Sequence, residues 1–315
     1  TEIFKIIAEK LALGNIIALK NTAGYLLICD ATNEAAVKEL RVRKRRPTKP
    51  FAVLFKDTSV ISNYLHLNTL EESTLSSTEA PIVILPVKNS LDLAVNQIAP
   101  NLKTIGAMIP NSGTLQLVMA NFDKPIIATS ANYHGSSIVS SEKEITRTLK
   151  EIADYFLHNS LNVLHPQDDS VMQFSEKYSK KIVLRRSRGF APNILNFNMP
   201  ECNEKILCFG SDLKSTITIL PNSNCYTSEY IGDLENYDTY LRYEKTIESY
   251  QSIFRFEPEI VLFDAHPKYI SSQLAESYYN LENPIQYLKI QHHKAHFAAI
   301  LGEKNLWKTD DKILG

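Results

Sequence analysis

The 315 residues carry 34 lysines and arginines against 35 aspartates and glutamates, a formal net charge of -1, with 44% hydrophobic and 22% charged side chains. That balance excludes a disordered chain and a protein coated with base for nucleic acid over much of its surface, so any anion site has to be local. The length is about twice that of a typical domain and favours two compact units.

No apolar run reaches the roughly 20 residues needed to cross a bilayer. The N-terminus "TEIFKIIAEKLALG" has acids where a signal peptide is basic, and Cys29, Cys202, Cys208 and Cys225 form no C-x-x-C pair. A cytoplasmic protein with reduced thiols, and with neither a zinc ribbon nor a disulfide framework, is expected.

Ile3, Ile6, Ile7 and Leu11 recur at helical spacing up to Gly14, predicting an opening helix before a short buried strand in "NIIALK". A second strand follows in "GYLLICDA". "NEAAVKELRVRK" then places Asn33 in a capping position and ends in base, which suits the negative end of a helix dipole. Arg41, Arg43, Lys44, Arg45, Arg46 and Lys49 put six basic side chains into nine positions. Pro47 predicts an extended segment, across which Lys44, Arg46 and Lys49 could converge on one polyphosphate. A solvated helix end or a loose nucleic-acid patch explains the same residues.

"FAVLF", "PIVILPV", "TIGAMI" and "PIIATSAN" are further strands, separated by polar, helix-compatible stretches in an α/β pattern. Thr129, Ser130 and Asn132 fall at the carboxyl end of the last one, where α/β sheets commonly bind ligands, although Ser-Ala-Asn is also an ordinary turn. "DDSVMQF" and "VLRRSRGFAP" bring two acids and a hydroxyl towards three arginines in four residues, which fits a ligand cleft or a surface salt-bridge network.

The irregular stretch "ILNFNMPECNEK" predicts a domain boundary near residue 200. Beyond it come a strand-turn-strand through "CFGSDLKSTITIL", a helix over 236–254, the buried strand "EIVLFDA", another helix and the strand "IQYLKIQ". His292 and His296 stand four apart at the start of a helix and share a face. That is metal-ligand spacing, with a structural or solvent-facing pair as the alternative.

In this order, "KNTAGYLLICDA", "LRVRKRRPTKPFAVL", "ATSAN", "DDSVMQF" and "LRRSRGFAP" resemble the YrdC/TsaC-like domain, in the wording found in HypF-type hydrogenase maturation carbamoyltransferases. "CFGSDLKSTITIL", "YIGDLENYDTY", "DAHPKYISSQLA" and "IQHHKAHFAA" resemble the start of the TsaD-like domain that follows it there. The resemblance covers nearly the whole chain. It implies an α/β protein with a YrdC-like adenylate-forming domain over 1–200, a twisted mixed sheet with flanking helices. Over 205–315 it implies the N-terminal portion of a TsaD-like carbamoyltransferase domain, a partial actin-like or ribonuclease-H-like unit.

The implied activity joins carbamate, derived from carbamoyl phosphate, to AMP from ATP with loss of pyrophosphate. The carbamoyl group then passes to the C-terminal cysteine of a HypE-like partner, on the way to the cyanide ligands of nickel-iron hydrogenase. By resemblance, Lys44 and Arg46 are the catalytic cations. Lys20, Tyr25, Lys49, Thr129, Ser130, Asn132, Ser170, Arg185 and Arg188 bind nucleotide or acyl group, and His292 and His296 bind metal. ATP with Mg2+, and zinc or iron at a complete second domain, are the implied cofactors. No membrane partner is expected, and double-stranded RNA would bind only weakly.

The family begins with an acylphosphatase domain and paired zinc fingers, which these 315 residues lack, so a fragment of a longer protein is expected. "PNSGTLQLVM" stands where the family usually has a Pro-Tyr-Thr-Pro-Leu-His-His type segment, and Gln173 stands where an arginine is common. "KNTAGY" lacks a usual glycine, and Tyr230 replaces a histidine before "IGDL". Threonylcarbamoyl-adenylate synthesis for tRNA modification and a non-catalytic double-stranded-RNA-binding module are the alternatives. The fused second domain argues against the first and the charge balance against the second.

Overall fold

Strand segments in the first half of the chain are apolar at successive positions, so both sheet faces have to be covered. The computed structural model, in which residues 2–88, 92–132, 142–163, 165–192, 202–278, 284–306 and 312–313 are described, shows how. Two compact units, Thr1–Phe190 and Ala191–Gly315, divide the chain.

The first unit runs α1 (Glu2–Ala12), β1 (Ile17–Asn21), β2 (Gly24–Asp30), α2 (Glu34–Arg43), β3 (Ala52–Leu54), α3 (Thr58–Tyr64), α4 (Thr69–Leu75), β4 (Ile82–Pro86) and α5 (Val95–Ile98). It continues with β5 (Thr104–Met108), α6 (Gly113–Asn121), β6 (Ile126–Ser130), α7 (Glu142–Thr148), β7 (Tyr155–Leu157), β8 (Val171–Phe174) and β9 (Lys181–Arg185). The strands form one mixed sheet of nine in the order β7-β1-β2-β6-β3-β5-β4-β8-β9.

Alternate side chains separate into two cores. Ala18, Tyr25, Leu27, Cys29 and Val53 pack on one face with α2 residues Val37 and Leu40. Ile17, Leu19, Ile28 and Leu54 pack on the other with Ile7 and Leu11 of α1 and Leu115 and Val118 of α6. The period-2 alternation of the strands therefore gives a helix–sheet–helix sandwich. Ile3 and Ile6 share the helical spacing of α1 but face outward, 47% and 48% exposed.

Asn33 caps α2 as expected, its side chain accepting from the Ala36 amide. The segment beyond is not extended. Lys44 closes the helix in a right-handed turn and Arg45 is left-handed, with φ 52°. Arg41 supplies the physical reason. The residue is 8% exposed, and its guanidinium donates to the carbonyls of Arg46 and Lys49 as well as to Gln97 and Ile98, and lies over the Phe51 ring at 4.6 Å. The chain is thereby folded around one buried cation.

The second unit runs β10 (Ile206–Cys208), β11 (Thr218–Leu220), β12 (Tyr226–Thr227), α8 (Tyr237–Phe254), β13 (Ile260–Asp264), α9 (Ile270–Ser277), β14 (Gln286–Ile290) and α10 (His292–Glu303). Its five-stranded sheet has the order β12-β11-β10-β13-β14, with β11 antiparallel to both neighbours and β13 parallel to both of its own. This is the ribonuclease-H-like arrangement. Tyr243, Ile247 and Tyr250 of α8 pack on Leu207, Ile219, Val261 and Phe263 of the sheet. Among the described residues no helix is long and apolar enough to cross a membrane.

Candidate functional site

The basic segment and the end of β6 meet through Lys44. The residue is 1% exposed, and its ammonium group donates to the Ser130 carbonyl at 2.6 Å, to the Asn132 side-chain oxygen at 2.8 Å and to the Asn132 carbonyl. Three oxygens hold the ammonium form, while burial first and the neighbouring Arg46 second oppose it, and the pKa is pushed down to about 7. Ser130 in turn donates to Asn132, so lysine, serine and asparagine form one turn-locking cluster.

Arg46 lies beside it over the Phe51 ring, donating to Lys49 and Pro50 carbonyls and reaching Thr129 Oγ1 at 3.5 Å. Burial, then Arg41 and Arg185, push its pKa down to about 10. The carboxylate of Asp168 acts on both Lys44 and Arg46 and lies 3.7 Å from Arg185, which donates to the Asp169 carbonyl. Two cations from the basic segment, one from β9 and an acid from the "DDS" motif thus share a field.

Other residues named from the sequence take different places. Lys49 is exposed. Lys20 donates to the Asn159 carbonyl at 3.0 Å, and Asn159 donates back to Lys20. Tyr25 is fully buried and its hydroxyl meets His158 Nδ1 at 2.7 Å; burial pushes its pKa up to about 12. Ser170 is fully buried and its hydroxyl bridges the Arg188 carbonyl and the Ser187 amide. Arg188 donates to Asp169 Oδ1 and to the Glu79 and Ala80 carbonyls. Ser170 and Arg188 thus form a strap that ties the turn after β9 to the residues just ahead of β8 and β4. Arg43, between Glu39 and Asp154, is likewise a tie.

In the second unit, His292 Nδ1 meets Asp264 Oδ2 at 2.6 Å and the Nε2 atoms of His292 and His296 stand 3.1 Å apart. A carboxylate on one imidazole nitrogen fixes the tautomer that leaves the other free to bind, so the donor set suits a divalent metal. It is a two-histidine set, because among the described residues no group of three or more His, Cys, Asp or Glu is arranged to hold one. Asp212 of the "GSDLKST" motif caps α9, accepting from the amides of Ile270 and Ser271.

Asp168, Asp169, Asn21, Asn111, His158 and Asp264 are the additions that the fold makes. "DDS" flagged the first two, and Asp264 stands in the quoted "DAHPKY" motif. The two asparagines fall in "KNTAGY" and "PNSG", where the sequence departs from the family wording, and His158 carries no sequence signal of its own.

The family model Sua5/YciO/YrdC, described as telomere recombination, matches residues 9–187, and that of the HypF Kae1-like domain matches 201–303. The carbamoyltransferase HypF of Synechocystis sp. is 36% identical over 98% of this chain and 39% of its own length. The probable carbamoyltransferase HypF of Methanocaldococcus jannaschii is 35% identical over 96% of this chain and 38% of its own. The chain thus spans about two fifths of the curated relatives it matches. A full-length HypF crystallised in a phosphate- and nucleotide-bound form superposes with a TM-score of 0.90 at 35% identity, covering 99% of this chain and 48% of that one. Pyrococcus abyssi Sua5, solved with L-threonine, shares the fold at a TM-score of 0.54 and 14% identity.

Proposed function

This chain belongs to the Sua5/YciO/YrdC family and carries behind that domain the Kae1-like domain of HypF carbamoyltransferases, and on that premise we propose that its first unit makes carbamoyl-adenylate from ATP. The observation that carries the reading is the gathering of Lys44, Arg46, Asp168 and Arg185 around the Ser130–Asn132 turn. A carbamate oxygen attacks the α-phosphorus, the bond from that phosphorus to the bridging oxygen breaks, and pyrophosphate leaves with the electron pair. Fixed cations offset the charge that builds on the phosphates, which is the largest part of catalysis in such a transfer. Lys44, Arg46, Lys49 and Arg185 supply that charge. Thr129, Ser130 and Asn132 orient the α-phosphate and acyl group. Asp168 offers the hard oxygen ligand that suits Mg2+ travelling with ATP.

Lys44 makes the site sensitive to pH. A polyanion beside it favours the ammonium form and raises its pKa above about 7, so binding must take up protons. Calorimetry with ATP at about pH 8, in buffers of different ionisation enthalpy, is expected to show an uptake approaching one proton per nucleotide. A buffer-independent enthalpy would remove Lys44 from the nucleotide's neighbourhood.

For the second unit we infer carbamoyl transfer to the C-terminal cysteine of a HypE-like partner. The thiolate attacks the carbamoyl carbon, and the bond to the adenylate oxygen breaks to release AMP. His292 and His296 would hold zinc or iron, whose Lewis acidity suits polarisation of a carbonyl oxygen. Asp264→Asn is expected to lower zinc affinity by about 10- to 100-fold, measured by competition with a chromophoric chelator, because it removes the negative charge beside His292 and leaves one oxygen to serve both the His266 amide and the imidazole. Equal affinities would make the histidine pair a structural contact.

A further inference from the structure

An asparagine chain runs from the arginine strap to the hairpin between β1 and β2. Arg188 and Asn111 both donate to Asp169 Oδ1, at 2.7 and 3.3 Å, and Asn21 Nδ2 meets Asn111 Oδ1 at 3.3 Å. The direction of the chain is forced. An ionised carboxylate only accepts, so Asn111 must turn its NH2 towards Asp169 and its oxygen towards Asn21, and Asn21 must then turn its own NH2 towards Asn111. What is left is the Asn21 side-chain oxygen, which is buried without a partner among the described residues, in a residue only 6% exposed. A buried acceptor left unpaired costs about 1–3 kcal/mol, so it calls for a donor.

Its surroundings indicate which donor. Asn21 follows Lys20, and the Ala23 carbonyl two residues on accepts from the Gln167 amide, next to Asp168, the acid that faces Lys44 and Arg46. The group that fits has N–H to give and no negative charge at that end, because Asp169 stands two hydrogen bonds away. Resting on the adenylation reading above, we propose that Asn21, locked by Asn111 and Asp169, reads the NH2 group of the acyl substrate and selects a primary carbamate over a carboxylate of the same shape that lacks N–H. Asn21 and Asn111 both fall in segments, "KNTAGY" and "PNSG", where the sequence departs from the family wording. The two departures are hydrogen-bonded to each other.

Carbamate and acetate are isosteres that differ in NH2 against CH3. Pyrophosphate release from ATP is measured with each, using freshly dissolved ammonium carbamate and a bicarbonate background. The wild type is expected to prefer carbamate, since a site built to bond an N–H rejects the analogue without it. Asn21→Leu should lower the carbamate-to-acetate ratio of kcat/KM by about 10- to 100-fold while leaving the KM for ATP within about twofold. Asn21→Asp keeps an acceptor oxygen but cannot donate to Asn111. It should retain the preference for carbamate even where melting shows it less stable, so a loss of ratio in both variants would mark a merely structural role and overturn the proposal. An unchanged ratio in Asn21→Leu would overturn it alone, with adenylation standing. Release with neither acid in the wild type would overturn adenylation and this inference with it.

Discussion

Lys44→Met is expected to lower kcat/KM for pyrophosphate release by about 10²- to 10³-fold, a loss of about 2.7–4 kcal/mol, on the scale of removing one preorganised donor from a charged transition state. Two losses combine. The methionine takes a cation from the α-phosphate, and it leaves the Ser130 carbonyl and both Asn132 oxygens without the ammonium that holds the turn. Lys44→Arg should rescue little, because a flat, wide guanidinium cannot meet three oxygens gathered around one nitrogen. Steady-state rates with ATP and carbamoyl phosphate or carbamate, beside a melting curve, separate chemistry from folding. Wild-type rates in Lys44→Met would return the cluster to a buried structural tie.

Arg188→Ala acts on the fold instead. It removes a 2.7 Å ion pair with Asp169 and hydrogen bonds to the Glu79 and Ala80 carbonyls, at a place where the arginine side chain is 15% exposed. Breaking a largely buried pair from one side costs roughly 3–5 kcal/mol, which in a unit of this size is a fall in Tm of about 6–20 °C. Differential scanning calorimetry checks it. A Tm within about 2 °C of wild type, together with weakened substrate binding, would instead place Arg188 on the acyl group, the role implied by resemblance.

The strands β1 to β6 were legible because each is a short apolar run, and α2 because Asn33 and a basic end mark its limits. β7, β8 and β9 give a weaker signal. Their apolar runs are no longer than three residues, and Lys181–Arg185 at the sheet edge is mostly exposed, so they stand out less from the polar sequence around them. The extended form expected across Lys44 to Lys49 failed for a reason outside the local sequence. Arg41 needs the carbonyls of Gln97 and Ile98, more than fifty residues away, to become the buried centre of the turn.

The site follows the same division. Lys44, Arg46, Ser130 and Asn132 stand out as residue types at suggestive places, but their meeting depends on α2 and β6 being brought together by the sheet. The i, i+4 spacing of His292 and His296 was readable, whereas Asp264, which orients the first of them, lies at the end of a strand 28 residues earlier. Asn21 and Asn111 are 90 residues apart and meet only in the fold.

The most direct test of adenylation is pyrophosphate release from ATP by this chain, with carbamoyl phosphate, carbamate, or threonine plus bicarbonate offered in turn. The gathered cations and the asparagine acceptor predict release with carbamate that is lost in Lys44→Met. Release with threonine plus bicarbonate alone would contradict the account and assign the site to threonylcarbamoyl-adenylate.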